Sequence, residues 1–262
     1  MTDRIAVEHS NGVAHVQMTR SDKMNALDEA MFNALIDTGN ALKQDQSVRC
    51  VVISGQGKSF CAGLDMSNFA NMNADTPRKS LIDRTQGIAN DFQYPVWVWR
   101  ELQVPVIAAI HGAAVGGGFQ IALAADMRYA APGTKCSVME IKWGLVPDMG
   151  GIQLLRGLTR DDVARELSYT GRIFKAEEAR ELGLVTDVVD DPVAHALKVA
   201  AEIASKNPDA IQANKRLFNQ MRYKNEADGL MHESVEQEAI IGQPNQMEAV
   251  MATLENRPGN YK

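Results

Sequence analysis

From Leu102 to Ala125 the chain carries no Asp, Glu, Lys or Arg. An uncharged run of that length belongs either in a protein core or across a bilayer of about 30 Å. Pro105, His111, the triplet Gly116-Gly117-Gly118 and Gln120 interrupt it. These breaks fit a buried strand, a glycine loop and a buried helix in succession better than one spanning helix. Val104 to Ile110 is the strand, His111-Gly112 ends it, and Phe119 to Ala125 is read as the helix. A second β-branched run, Val48 to Ser54, is closed by Gly55 and leads into a glycine-containing loop up to Gly63. The same order of strand, glycine loop and helix thus recurs, which predicts a repetitive α/β layout.

The flanking segments extend this pattern. Ile5 to Glu8 and Val13 to Thr19 read as paired strands around the turn Asn11-Gly12. Asn25 is the expected N-cap of a helix whose stripe is Leu27, Met31, Ala34, Leu35, Thr38 and Leu42. Met127 to Ala130 is a third strand, and Leu184 to Val189 a strand-like break in a largely helical stretch that starts near Ala176. Only helical signals follow Pro192: Val193 to Ser205, Pro208 to Arg222, Gly229 to Ile240 and Gln246 to Asn256. The expected division is a core over 1–192 and a helical region over 193–262 that packs on itself or on a partner subunit.

Composition excludes several classes. With 33 Asp and Glu against 27 Lys and Arg, the net charge of −6 disfavours broad nucleic-acid binding, which needs a basic face. A small anionic ligand remains compatible, because a helix N-terminus can hold one locally. Cys50, Cys61 and Cys136 are odd in number and widely spaced, so they form neither a disulfide framework nor a zinc site. The five histidines lack ligand spacing, and no metal is expected. The N-terminal MTDRIAVEHS lacks the apolar core of a signal peptide, so a soluble cytoplasmic protein is expected. Gly57-Lys58-Ser59 imitates a P-loop, but Val52 stands where its first glycine belongs. Gly55-Gln56-Gly57 fails as a dinucleotide fingerprint at Phe60, and no G-x-S-x-G elbow is present.

The glycine loops carry the chemistry. Gly63, within Ser59 to Asp65, frees a turn conformation and lets backbone approach a ligand. Gly116 to Gly118 precede a helix, whose first N–H groups and dipole favour negative charge. Two such amides aimed at one point make an oxyanion hole. The alternative for each glycine is tight packing of loop against strand.

Taken together, SFCAGLD (59–65), HGAAVGGGFQIALAADMRYA (111–130) and MEIKWGLVPDMGG (139–151) resemble the crotonase family, the enoyl-CoA hydratase/isomerase superfamily. The resemblance runs in order from about Arg20 to the C-terminus. It implies a spiral of repeated β-β-α units with a C-terminal helical trimerisation region, hence a homo-oligomer, either a trimer or a dimer of trimers. It also implies an acyl-CoA substrate, with coenzyme A as part of that substrate and no further cofactor. Position by position, the thioester oxygen is expected between the Leu64 and Gly117 amides, beside Gly116. The coenzyme A arm is expected along Lys23, Met24 and Ala26 and along Ala62, Gly63 and Asp65. Lys215, Arg216, Arg222 and Lys224 either meet its phosphates or form a solvated helix face. Met66 to Met72 with Phe69, together with Trp97, Trp99 and Trp143, either line the acyl pocket or belong to the core.

Hydratases of this family use two glutamates, twenty residues apart. The second is Glu140; the first position holds Gln120, which cannot exchange a proton near neutral pH. Glu140 is expected to be the main acid/base, since apolar Val138, Met139 and Ile141 around it raise a carboxyl pKa. Asp148 is either a further acid/base, as the resemblance to the family's dienoyl-CoA isomerases implies, although these carry an aspartate where Gln120 stands, or the N-cap of a helix opening at Gly150-Gly151. The expected function is that of an enoyl-CoA hydratase/isomerase working through a thioester enolate: the single carboxylate favours a double-bond shift, and the family resemblance favours hydration. Thioester hydrolysis, decarboxylation, or a non-catalytic acyl-CoA or RNA binder are the alternatives, because fold alone does not choose among them.

Overall fold

The computed structural model describes residues 4–65, 80–221 and 224–262. It opens on a hairpin, β1 (Ile5–Ser10) and β2 (Val13–Met18), paired antiparallel with Ser10 opposite Val13. Asn11 and Gly12 both take positive φ, 48° and 79°, as a tight two-residue turn between twisted strands requires. Helix α1 (Glu29–Gln44) buries Met31, Ala34, Leu35, Gly39 and Leu42 along one stripe. Its N-cap is Asp28, which accepts the Met31 amide at 2.8 Å, and not Asn25. Asn25 is buried ahead of the helix in the left-handed region, and its side-chain amide donates to the Gln56 and Ser59 carbonyls. The expected cap at Asn25 is thus displaced by three residues, because these tertiary bonds commit its side chain elsewhere.

The repeat then unrolls. Strand β3 (Cys50–Gly55) joins β2 in parallel. After α2 (Tyr94–Glu101) come β4 (Val106–Ile110), β5 (Ala113–Val115) and α3 (Gly117–Ala124). Next are β6 (Met127–Ala130), β7 (Lys135–Ser137) and a 3₁₀ turn over Glu140–Trp143. The helices α4 (Gly151–Leu155) and α5 (Asp161–Thr170) lead to β8 (Phe174–Lys175), α6 (Ala176–Glu181) and β9 (Asp187–Val188). One sheet has the order β1-β2-β3-β4-β6-β9 and the other β5-β7-β8. Strands β4 and β6 enter the large sheet, and β5 and β7, which follow them, enter the small one before the chain turns helical. Cys61 takes the corresponding place after β3 through a bridge to Ala114. This is the expected mixed α/β layout of repeated units.

The pleat of the large sheet separates two cores. Ala14, Val16, Val51, Ile53, Val106, Ala108 and Ile110 face one side, with α1, α2 and α3. Val13, Cys50, Val52, Ile107, Ala109 and Tyr129 face the other, covered by Ala196, Ala200 and Ala204 of α7 (Pro192–Ala204). All eight residues of α3 are buried, which is why its sequence has no charge. Among the described residues no helix is long and apolar enough to cross a membrane.

Helices α8 (Pro208–Met221), α9 (Glu226–Ile240) and α10 (Pro244–Leu254) complete the C-terminal helical region. Lys215 and Arg216 are engaged within the chain and not held out for phosphates. The Lys215 ammonium, 4 % exposed, donates to the Val104 carbonyl at 2.8 Å and to Asp126 at 2.9 Å, pinning α8 to the core. Burial pushes its pKa down, and the Asp126 carboxylate opposes that shift. Arg216 pairs with Glu236 at 2.6 Å and so ties α8 to α9. Arg222 lies outside the described residues, and Lys224 is exposed.

Removing the Lys215 ammonium leaves the Val104 carbonyl without its donor, while the partly exposed Asp126 keeps the Val106 amide. Lys215→Met should therefore cost about 1–3 kcal/mol of stability, read as a lower denaturation midpoint; an unchanged midpoint would mean that Lys215 does not anchor α8.

Candidate active site

The segment from Cys61 to Asp65 changes hydrogen-bonding partner halfway along. At its start the Cys61 amide donates to Ala113 at 3.0 Å and the Cys61 carbonyl accepts Val115 at 3.2 Å. At its end the Gly63 carbonyl accepts the Leu27 amide at 2.8 Å, and the Asp65 amide donates to Leu27 at 3.0 Å. Gly63 makes the changeover with φ +82°, and a Cβ there would lie 2.6 Å from the Val115 carbonyl oxygen. Successive amides of an extended segment alternate in direction, so the Leu64 N–H points away from Leu27. Gly117 is on that other side: the same Cβ position lies 3.7 Å from the Gly117 nitrogen. Gly117 is the first residue of α3, where amides have no partner within the helix. Among the described residues, neither the Leu64 nor the Gly117 amide donates a hydrogen bond. Two such donors, one reinforced by the helix dipole, can hold an oxygen on which negative charge develops.

Glu140 sits across Gly116 from this pair. It starts the 3₁₀ turn after β7, and a Cβ on Gly116 would lie 3.5 Å from its Oε1. Oε1 accepts the Gln120 side-chain amide at 2.6 Å, while Oε2 is buried without a partner among the described residues. Burial pushes the Glu140 pKa up and the Asp148 charge adds to the rise; the Glu140 backbone amide, the Gln120 side chain and the Met139 amide partly offset it. Asp148 lies on the turn before α4, and crowding by the surrounding protein raises its carboxyl as well.

Gln120 is held from three sides. Its Oε1 accepts the Met149 amide at 3.0 Å and the Gly151 amide at 2.8 Å, and its Nε2 donates to Glu140. Two N–H groups on one atom and a carboxylate on the other fix which end of the amide is oxygen. Gln120, 2 % exposed, therefore positions Glu140 and the start of α4. It also takes the capping role open to Asp148: the N-cap of α4 is Gly150, with no side-chain bond.

The remaining candidates separate. Lys23 and Met24 are exposed, and Ala26 and Ala62 partly so, along the two backbones that meet at Leu27 and Leu64. Asp65 is not an open ligand contact, because its carboxylate is bound to Arg20 at 2.6 Å. Trp99 is fully buried and donates to the Pro95 carbonyl, so it belongs to the core. Trp97 stands against Gly150, on the turn that carries Asp148, and Trp143 is exposed beneath the Lys142 ammonium. Residues 66–72 lie outside the described residues. Arg20 is the residue that sequence reasoning passes over; its carboxylate partners Asp28 and Asp65 are brought to it only by the fold.

Comparison with known proteins gives a consistent picture. A family model described as enoyl-CoA hydratase/isomerase matches residues 8–262. The human mitochondrial Delta(3,5)-Delta(2,4)-dienoyl-CoA isomerase is 33 % identical over 94 % of this chain and 77 % of its own length. The mouse mitochondrial methylglutaconyl-CoA hydratase is 30 % identical over 97 % of this chain and 81 % of its own. The crystal structure of an enoyl-CoA hydratase from Bacillus anthracis superposes with a TM-score of 0.90 at 30 % identity, covering 99 % of each chain.

The Gln120 contacts make a direct prediction. Gln120→Met keeps the side-chain length but leaves the Met149 and Gly151 amides without acceptors, at a cost of about 1–3 kcal/mol. Hydrogen exchange at both amides should accelerate at least tenfold, whereas Gln120→Glu should retain their protection. Unchanged exchange in Gln120→Met would show that these bonds are not made in solution.

Proposed function

The chain belongs to the enoyl-CoA hydratase/isomerase family, and on that premise we propose that it shifts a carbon–carbon double bond within an unsaturated acyl-CoA thioester. The observation that carries this reading is the buried, unpartnered Oε2 of Glu140 beside the two unbonded amides of Leu64 and Gly117. The thioester oxygen accepts both amides, and the coenzyme A arm leaves along Lys23 to Ala26 and Ala62 to Asp65. Glu140 removes a proton from carbon; the C–H electron pair passes into a dienolate whose charge collects on the held oxygen. The proton returns at the other end of the conjugated system, either from Glu140 or through Asp148, and no water is consumed. Coenzyme A enters only as part of the substrate, and the reading needs no resident cofactor.

Hydration is the reaction that the site equips less well. It requires a group to activate water opposite Glu140, and position 120 offers an amide already committed to Met149, Gly151 and Glu140. The similarity to the human dienoyl-CoA isomerase supports the isomerase reading; the mouse hydratase marks what a related chain does. We extend the proposal to a homo-oligomer. Phe218, Leu230, Met231 and Val235 in the C-terminal helices are all more than half exposed, and apolar side chains so placed favour contact with a partner copy.

The test is to offer 3-enoyl-, 3,5-dienoyl- and 2-enoyl-CoA in parallel and to identify products by mass and retention. Isomerisation leaves the mass unchanged, hydration adds one water, and hydrolysis releases free coenzyme A. A rearranged double bond is expected; hydration alone, hydrolysis alone or inert substrates would overturn the proposal. Glu140→Gln should lower kcat by about 10²–10⁴-fold.

The pH dependence follows from the raised carboxyl. A general base works only when ionised, so the acid limb of kcat/KM should lie above the ordinary carboxylate range. Asp148→Asn removes a neighbouring negative charge and should move that limb to lower pH. Gln120→Glu would place a carboxyl where the amide now meets Glu140, making a pair that shares a proton. That variant should gain hydration of 2-enoyl-CoA; no gain would mean that Gln120 is not what limits it.

A further inference from the structure

We infer that Arg20 is the positioning residue for the Leu64 amide, holding this half of the oxygen site through Asp65 and the backbone beside Leu27. The inference rests on the proposed use of that amide. Leu64 is presented by a single bridge: Leu27 bonds the residues on either side of it, Gly63 and Asp65. Among the described residues three backbone bonds join these two segments, the Ala62 amide to the Met24 carbonyl and the pair made by Leu27, and so short a ladder has little stiffness of its own. The Arg20 guanidinium surrounds it. One nitrogen donates to the Ala26 carbonyl at 2.9 Å and lies 2.6 Å from Asp65 Oδ2, while Nε lies 3.5 Å from Asp28 Oδ2. The residues before and after Leu27 and the residue after Leu64 are therefore all bound to one rigid, planar cation.

The setting favours a structural grip over a ligand contact. The Arg20 and Asp65 side chains are only 13 % and 14 % exposed, so their pairing is partly shielded from water and salt. Asp28 is fixed independently, by capping α1 and by pairing with Arg4 at 2.7 Å. Arg20 thus connects the oxygen site to the start of a long core helix. A lysine could not reproduce this, because a single ammonium lacks the forked geometry that bonds a carbonyl and two carboxylates at once.

The experiment separates this role from general stability. A cinnamoyl-type thioester of coenzyme A absorbs at longer wavelength when hydrogen bonds polarise its carbonyl, and it reports the oxygen site without turnover. The wild type is expected to shift the bound probe to the red. Arg20→Gln and Asp65→Asn, each with a cooperative melt, should lose more than half of that shift, and Arg20→Lys should recover only part of it. Arg4→Gln, which breaks the outer pair with Asp28 and leaves Arg20 its bonds to Ala26 and Asp65, should keep the full shift.

Exchange of the Leu27 and Asp65 amides supplies a second reading that needs no ligand. It should quicken at least tenfold in Arg20→Gln and stay as in the wild type in Arg4→Gln. A full red shift with unchanged exchange in folded Arg20→Gln or Asp65→Asn would overturn the role of Arg20. A wild type that leaves the probe unshifted would instead overturn the oxygen site, and the exchange rates would still decide whether Arg20 holds the bridge.

Discussion

A backbone N–H inside a folded chain needs a partner, and the segment from Cys61 to Asp65 finds its partners on two different sides. Its first residues extend the small sheet toward Ala114; its last pair with Leu27. At the changeover the Leu64 amide faces neither neighbour. The start of α3 produces a second unbonded amide for a different reason, because Gly117 opens a helix whose preceding turn is used up by the small sheet. Most of the local architecture serves to bring these two donors together. Parallel strands β3 and β4 deliver both loops to the same edge, and a Cβ on Gly118 would lie 2.5 Å from the Cys61 carbonyl. Preorganised donors of this kind are worth roughly 3–4 kcal/mol each in a transition state, because they need no reorganisation as charge appears.

Opposite the donors, electrostatics divides the work among three side chains. Glu140 is held by one oxygen and, among the described residues, has the other buried without a partner, in surroundings that raise its pKa through burial first and Asp148 second. Gln120 shapes this balance without titrating. Its amide supplies Glu140 with one neutral donor, and its oxygen caps α4 in place of any acidic side chain. A glutamate could keep the α4 contacts only by turning its second oxygen toward Glu140, where two carboxylates at that distance cannot both be ionised. The amide therefore leaves one buried carboxylate oxygen without a partner among the described residues instead of a coupled carboxylate pair.

Much of this was legible in the sequence, and the parts that were share a local cause. The uncharged run from Leu102 to Ala125 reads directly as β4 and, further on, α3, because burial forbids charge at every position of those two elements. The turn at Asn11-Gly12, the strand Met127–Ala130 and the C-terminal helices follow equally from nearest-neighbour chemistry. What was not legible depends on contacts far apart along the chain. Asn25 resembles a helix cap until Gln56 and Ser59 claim its amide, and Lys215 resembles a phosphate ligand until Val104 and Asp126 enclose it. The short strands β5, β7 and β8 hold only two or three residues each, too few for an alternating pattern to show. Gln120 was visible as a departure from a glutamate pair, yet its grip on Met149 and Gly151 exists only in three dimensions.

The central claim is that Glu140 and the two amides form and hold a thioester enolate. Deuterium uptake tests it without requiring the natural acyl group. A saturated acyl-CoA incubated with the enzyme in deuterated water should gain deuterium at its α-carbon with the wild type and not with Glu140→Gln. No uptake by the wild type, or uptake that persists without the Glu140 carboxylate, would contradict the account.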